Sequence, residues 1–225
     1  MKIRTAIAVL AVSCAALLAC TKPTREAAKE WDGLELREQK NLDAVYVKPN
    51  VTFKHYQQVL LTQPQVAFSK NWDPNQSTAA SLGSRLNARD IEEIKTGIAT
   101  EFRKSFEASL GAGGYKLATE PGEDVLRVDS ALVDIYINAP DTMSASRSRV
   151  YTTDSGRITL VMELRDSTTG ELLARVVDKE EGQEFGMMQV TNRVTNTADL
   201  RVALNKWAGA LRAGLDKVNG KTPAG

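Results

Sequence analysis

Side chains do chemistry where a nucleophile meets a base or where ligands fall at metal spacing, and this chain offers little of either. His55 is its single histidine. With no second histidine and no carboxylate at ligand spacing, it cannot make an ordinary zinc site. A Ser/His/Asp triad assembles in space, so the sequence leaves that role open, but nothing marks a nucleophile. The plainer reading of His55 is a surface or packing residue. Gly111-Ala112-Gly113-Gly114 has the glycine content of a phosphate loop. Such a loop leads from a strand into a helix, whereas these glycines follow a helical pattern, whose carbonyl end repels phosphate. Glu120, Glu123 and Asp124, and again Glu180, Glu181 and Glu184, are acidic clusters without calcium-loop spacing, and they read as solvated turns. Walker A, Gly-x-Ser-x-Gly, His-Glu-x-x-His and EF-hand patterns are all missing. The chain is expected to be no enzyme, with no catalytic residue, no metal and no cofactor.

The two cysteines stand in a different setting. Lys2 and Arg4 give a short positive start, and Ala6 to Leu18 is an uncharged run too short to span a bilayer as a lasting helix. Leu17-Leu18-Ala19-Cys20 closes it. This stretch resembles the lipobox of bacterial lipoproteins. The resemblance implies cleavage before Cys20 and a diacylglycerol on that thiol. Cys14 is the alternative site, but it has a shorter apolar run and no leucine three residues before it. A short buried core helix is the alternative for the whole leader. With Cys14 removed and Cys20 lipidated, no thiol remains for a disulfide or thiolate chemistry. Thr21, in place of the aspartate associated with inner-membrane retention in that family, implies the outer membrane, facing the periplasm.

Loss of Lys2 and Arg4 leaves 27 Lys and Arg against 28 Asp and Glu. A near-neutral surface exerts no long-range pull on nucleic acid or anionic lipid, so neither is favoured as a partner. The organisation expected is a signal peptide at 1–19, the lipidated cysteine with a flexible tether at 20–40, one domain at 41–220 and a disordered tail at 221–225. Trp31 either pins the tether to the domain or sits in the lipid interface, the first being preferred.

Periodicity supplies the elements. Leu42 to Pro49 and Val59 to Thr62 read as strands, the second continuing through Val66 and Phe68 past Pro64, which demands an edge or a bulge. Ile91, Ile94, Ile98, Phe102, Phe106 and Leu110 recur at helical spacing; Asn87 or Asp90 can cap the start, and Gly111 is expected to take the left-handed end position. Val125 to Ile137 is a long strand whose apolar parity changes midway, so a bulge is expected near Ser130. Ile158 to Leu164 and Leu172 to Val177 form a hairpin about Asp166–Gly170, and Leu200, Leu204, Trp207, Leu211, Leu215 and Val218 mark a terminal helix. The fold class is α+β: a mixed, mostly antiparallel sheet packed by two long amphipathic helices.

Together the lipobox, Tyr46–Pro49 through Tyr56 to Trp72, Leu126–Ile135 and the Asp166–Gly170 turn resemble a proteobacterial outer-membrane lipoprotein family catalogued only as a domain of unknown function. The resemblance implies a membrane anchor and one domain; it transfers no catalytic residue. Binding is left to the loops. Ser144–Tyr151 presents Arg147, Arg149 and Tyr151, and Phe185–Val194 presents Met187, Met188 and Arg193. Arginine, methionine and aromatic side chains favour protein interfaces. The expected function is a lipid-anchored envelope protein that binds or scaffolds an envelope protein partner. The alternative is a hydrolase acting on a cell-wall or lipid substrate.

Overall fold

The computed structural model describes residues 27–73, 75, 86–137, 151–152, 156–181, 189–190 and 193–221, with the backbone alone at 151–152, 189–190 and 193–199. In chain order the elements are β1 (Glu30–Trp31), β2 (Leu34–Arg37), β3 (Ala44–Val47), β4 (Gln58–Leu61), β5 (Gln65–Phe68), α1 (Ala88–Ala112), β6 (Lys116–Leu117), β7 (Val125–Tyr136), β8 (Tyr151–Thr152), β9 (Arg157–Asp166), β10 (Leu172–Glu181), β11 (Gln189–Val190) and α2 (Arg193–Val218). Nine strands form one sheet in the order β1-β2-β3-β10-β9-β7-β4-β6, with β5 also on β7. Pairing is antiparallel except where β4 and β5 meet β7 and β6 meets β4. The fold is α+β, with a mixed and mostly antiparallel sheet and two helices.

Strands β4 and β5 lie along one edge of β7, interrupted at Thr62–Pro64, where proline has no donor for the ladder. Helix α1 opens on a capping box: the Asn87 side chain accepts from the Asp90 amide and the Asp90 carboxylate accepts from that of Asn87. Glu93 pairs instead with Arg89 one turn back. Ile98, Phe102, Phe106 and Leu110 are buried along one side, the two rings stacked 4.1 Å apart. They share a core with Leu204, Trp207, Leu211 and Leu215 of α2 and with Leu126, Val128, Leu132, Leu160 and Met162 of the sheet.

The structure corrects the sequence reading at four places. Residues 30–37, taken as tether, are strands at the sheet edge, and Leu34 is 1% exposed in a second apolar cluster with Ala44 and Tyr46. The bulge lies at Asp134 and not at Ser130: Asp134 has φ +51, and the β7–β9 register shifts between Val133 and Tyr136. Leu126, Val128, Ser130 and Leu132 stay in phase as buried residues, so it was the polar Ser130 that broke the apparent apolar alternation. Helix α1 runs past Gly111, and the left-handed residue at its end is Gly114, φ +72. Tyr151 and Arg193, expected in loops, belong to β8 and to the first turn of α2.

Candidate partner-binding site

The end of the sheet where β5 and β7 finish and β9 begins carries a dense polar and aromatic cluster. The left-handed turn at Asp134 steps the chain by one residue and leaves Tyr136 opposite Arg157. The Arg157 guanidinium then lies over the Tyr136 ring at 4.7 Å, donates to Asp134 Oδ2 at 3.1 Å, and reaches Ser69 Oγ at 3.1 Å and Asn71 Oδ1 at 3.3 Å. Hydrogen bonds from Ser69 and Arg157 hold the Asp134 carboxyl below the usual carboxylate range, so it stays charged. Trp72 stacks on Phe68 at 3.9 Å and donates its indole N–H to the Ile137 carbonyl at 3.0 Å. A side chain at Gly156 would meet the Tyr136 carbonyl oxygen at 2.6 Å, so the chain re-enters the sheet through a gap that only glycine fits. Bulges with a left-handed residue at a sheet rim re-aim side chains, and this one turns a tyrosine and an arginine onto the same spot.

The described residues at the ends of the two segments singled out from the sequence pair with each other. Beyond the Arg157–Glu181 pair that ends the β9–β10 ladder, the chain pairs again as β8 with β11, Tyr151 opposite Val190 and Thr152 opposite Gln189. Arg193 follows three residues after Val190, where α2 begins. Arg147, Arg149, Met187 and Met188 lie outside the described residues, as does Cys20.

The structure also places other residues considered from the sequence. His55 is exposed against the Tyr56 ring, centroids 3.8 Å apart, and among the described residues no serine, threonine or carboxylate is hydrogen-bonded to it. Among the described residues no three His, Cys, Asp or Glu side chains gather as a metal site. Glu180 pairs with Lys206 at 2.5 Å and Asp124 accepts from the Gln58 amide at 3.1 Å.

Sequence reasoning missed the charged residues that tie elements together. Arg175, on β10, donates to Glu163 at 2.7 Å and to Asp32 at 2.7 Å, and its guanidinium lies over the Trp31 ring at 4.2 Å. Burial pushes the Glu163 pKa up, but Arg175 and Arg165 outweigh it and leave the group below its ordinary value. Asp178 is 1% exposed and accepts from the Trp207 indole at 2.7 Å, Lys206 at 2.8 Å and the Asp43 amide at 2.8 Å. A charged residue inside an otherwise apolar strand pattern was the only available signal.

Solved structures similar to this chain include a Helicobacter pylori protein described as a neuraminyllactose-binding hemagglutinin homolog (14% identity, 74% of this chain and 87% of that one, TM-score 0.43). A minor lipoprotein from Acinetobacter baumannii is similar at 9% identity over 72% of this chain and 94% of that one, TM-score 0.36. The PelC dodecamer from Paraburkholderia phytofirmans is similar at 9% identity over 80% and 96%, TM-score 0.35. No curated protein matches the chain. A family model described as "Protein of unknown function (DUF3313)" matches residues 24–211, and the chain belongs to that family.

Proposed function

We propose that this chain is a lipid-anchored envelope protein, held in the outer membrane through Cys20 and facing the periplasm, that binds a protein partner without catalysing a reaction. The observation that carries the binding site is the β8–β11 ladder. It pairs Tyr151–Thr152, ahead of β9, with Gln189–Val190, after β10. Tyr151 lies in this ladder and Arg193 follows three residues after it; Arg147, Arg149, Met187 and Met188, their neighbours in sequence, complete the contact surface we propose. Anchoring rests on the lipobox: among the described residues no helix is long and apolar enough to cross a membrane, which says nothing of a β-barrel. A hydrolase working through a pair of carboxyl groups would keep one of them protonated near neutral pH. Among the described residues the three carboxyl groups displaced at this face and at the hairpin, Asp134, Glu163 and Asp166, all move downward.

The test is in-cell crosslinking with mass spectrometry on a variant carrying alanine at the six named positions. Loss of a specific partner with an unchanged thermal midpoint is expected. A folded variant that keeps every partner would remove this surface from consideration.

A further inference from the structure

The opposite end of the sheet holds an open cleft of about 480 Å³, lined by Lys54, Gln57, Lys217, Val218, Asn219 and Gly220. Its two cationic walls come from separate parts of the chain, the turn before β4 and the last turn of α2. We propose that this cleft binds a phosphate-type oxyanion between Lys54 and Lys217.

A lysine near a helix C-terminus is ordinarily explained by the carbonyls it faces. Here three of those carbonyls, of Leu215, Asp216 and Lys217, are already served. Gly220, at φ +66, closes α2 in a Schellman arrangement, with the Lys221 amide donating to Asp216 O at 2.9 Å and the Gly220 amide to Lys217 O at 3.4 Å. The Asn219 side chain and amide both donate to Leu215 O at 3.0 Å. Lys54 has no such role, since it belongs to the other wall. Among the described residues neither the Lys54 nor the Lys217 ammonium has a hydrogen-bond or ion-pair partner. By contrast Lys48, Lys179 and Lys206 each pair with carboxylates.

Three carboxylates of the flanking segments are committed elsewhere. Asp124, whose backbone carbonyl holds the Gln57 amide at 2.9 Å, accepts from the Gln58 side chain at 3.1 Å. Asp216 accepts from the Tyr115 hydroxyl at 2.9 Å, and Asp166 accepts from Tyr56, Thr168 and Thr169. Lys221, next along the chain, is held outside the cleft, over the Tyr115 ring at 3.7 Å and donating to Gly113 O at 2.9 Å. Two unpaired ammonium groups in one concavity raise the local positive potential although the whole chain is near neutral, so capture is by contact and not by steering. The cleft exceeds the size of a bare phosphate several-fold and leaves room for the group that carries it. Either a lipid headgroup or a soluble phosphate would satisfy this chemistry.

The experiment is amine-reactive labelling of the full-length protein, read by mass spectrometry at Lys54 and Lys217 with exposed Lys104 as internal reference. In neutral detergent, inorganic phosphate is compared with chloride at equal ionic strength; in vesicles, phosphatidylcholine is compared with phosphatidylcholine containing phosphatidylglycerol. At a ligand concentration of twice the Kd both lysines should label about threefold more slowly. Protection by inorganic phosphate identifies a soluble anion as sufficient, and protection confined to the phosphatidylglycerol vesicles identifies the headgroup. Lys54→Gln should abolish protection at Lys217 without moving the thermal midpoint. Equal labelling in all arms, equal protection by chloride, or protection of Lys217 that survives Lys54→Gln would each overturn the site. None of these outcomes depends on a partner at the β8–β11 end.

Discussion

At the scale of single residues, the polar groups that matter are those made dependent on one another by burial. Tyr56 is 3% exposed and donates to Asp166 at 2.8 Å. Burial, then the hydrogen bond to that carboxylate, pushes the phenol above its ordinary pKa. Asp166 moves the other way, held down first by the Thr168 hydroxyl, then by the Thr169 amide. The signs follow. The tyrosine's contribution is complete below about pH 10 and is lost as pH rises through its folded value, while the aspartate's is complete above about pH 4 and is lost as pH falls. Tyr56→Phe should cost about 1–2 kcal/mol in urea unfolding at pH 7 and flatten the alkaline decline. A variant with the parent's stability and alkaline profile would show that this bond has no net effect. Asp178 is a harsher case. Asp178→Ala strands the Trp207 indole, which is 0% exposed, and the Asp43 amide, so about 3 kcal/mol should go. Lys206 is exposed enough to regain water, which keeps the loss near that figure and not higher.

At the scale of elements, the helices and the two ends of the sheet owe their legibility to different physics. Helix α1 was readable because Ile98, Phe102, Phe106 and Leu110 repeat on the period that the core selects, and Phe102→Ala should cost about 3–5 kcal/mol by thermal or denaturant unfolding. An unchanged midpoint would place α1 at the periphery. The β1–β2 hairpin was not read, although its signal was present. Asp32-Gly33 takes φ +53 and +76, the two positive values of a type I′ turn, for which Asp-Gly is a favoured pair. Two short strands in a polar region gave no periodicity to support that turn. What holds them is distant in sequence: the Arg175 guanidinium on Trp31 and Asp32, and Tyr46 against the edge of Trp31 at 5.6 Å. The bulge at Asp134 was hidden for a similar reason, since its register depends on Arg157 more than twenty residues away. Arg175→Ala should therefore loosen β1–β2 while the rest of the sheet stays closed. Hydrogen exchange at the Leu36 amide, which bonds Lys29 O at 3.0 Å, should accelerate more than tenfold, equivalent to about 1.4 kcal/mol of local stability. Equal protection in the variant would mean that the apolar cluster around Leu34 holds the hairpin alone.

At the scale of the whole molecule, the hairpin changes what a lipid at Cys20 can do. Strand β1 begins at Glu30, so only residues 21–29 separate the proposed lipid from the sheet, where the tether was read as running to residue 40. Nine residues reach at most about 30 Å fully extended. The start of β1 must then lie within roughly that distance of the bilayer surface, which keeps the domain, and any partner it meets, near the membrane. Cys20→Ser should move the protein from the membrane fraction to the soluble one; retention there, with release by Cys14→Ser, would reassign the lipid. Tether length is the sharper variable. Twenty Gly/Ser residues inserted between residues 21 and 27 add about 25 Å of mean reach, and they dilute the site against any membrane-fixed partner. Crosslinking yield to such a partner should fall several-fold while the thermal midpoint is unchanged. An unaltered yield would mean that the partner is not fixed to the membrane, and that the short connection between Cys20 and β1 is a consequence of the hairpin without a role in binding.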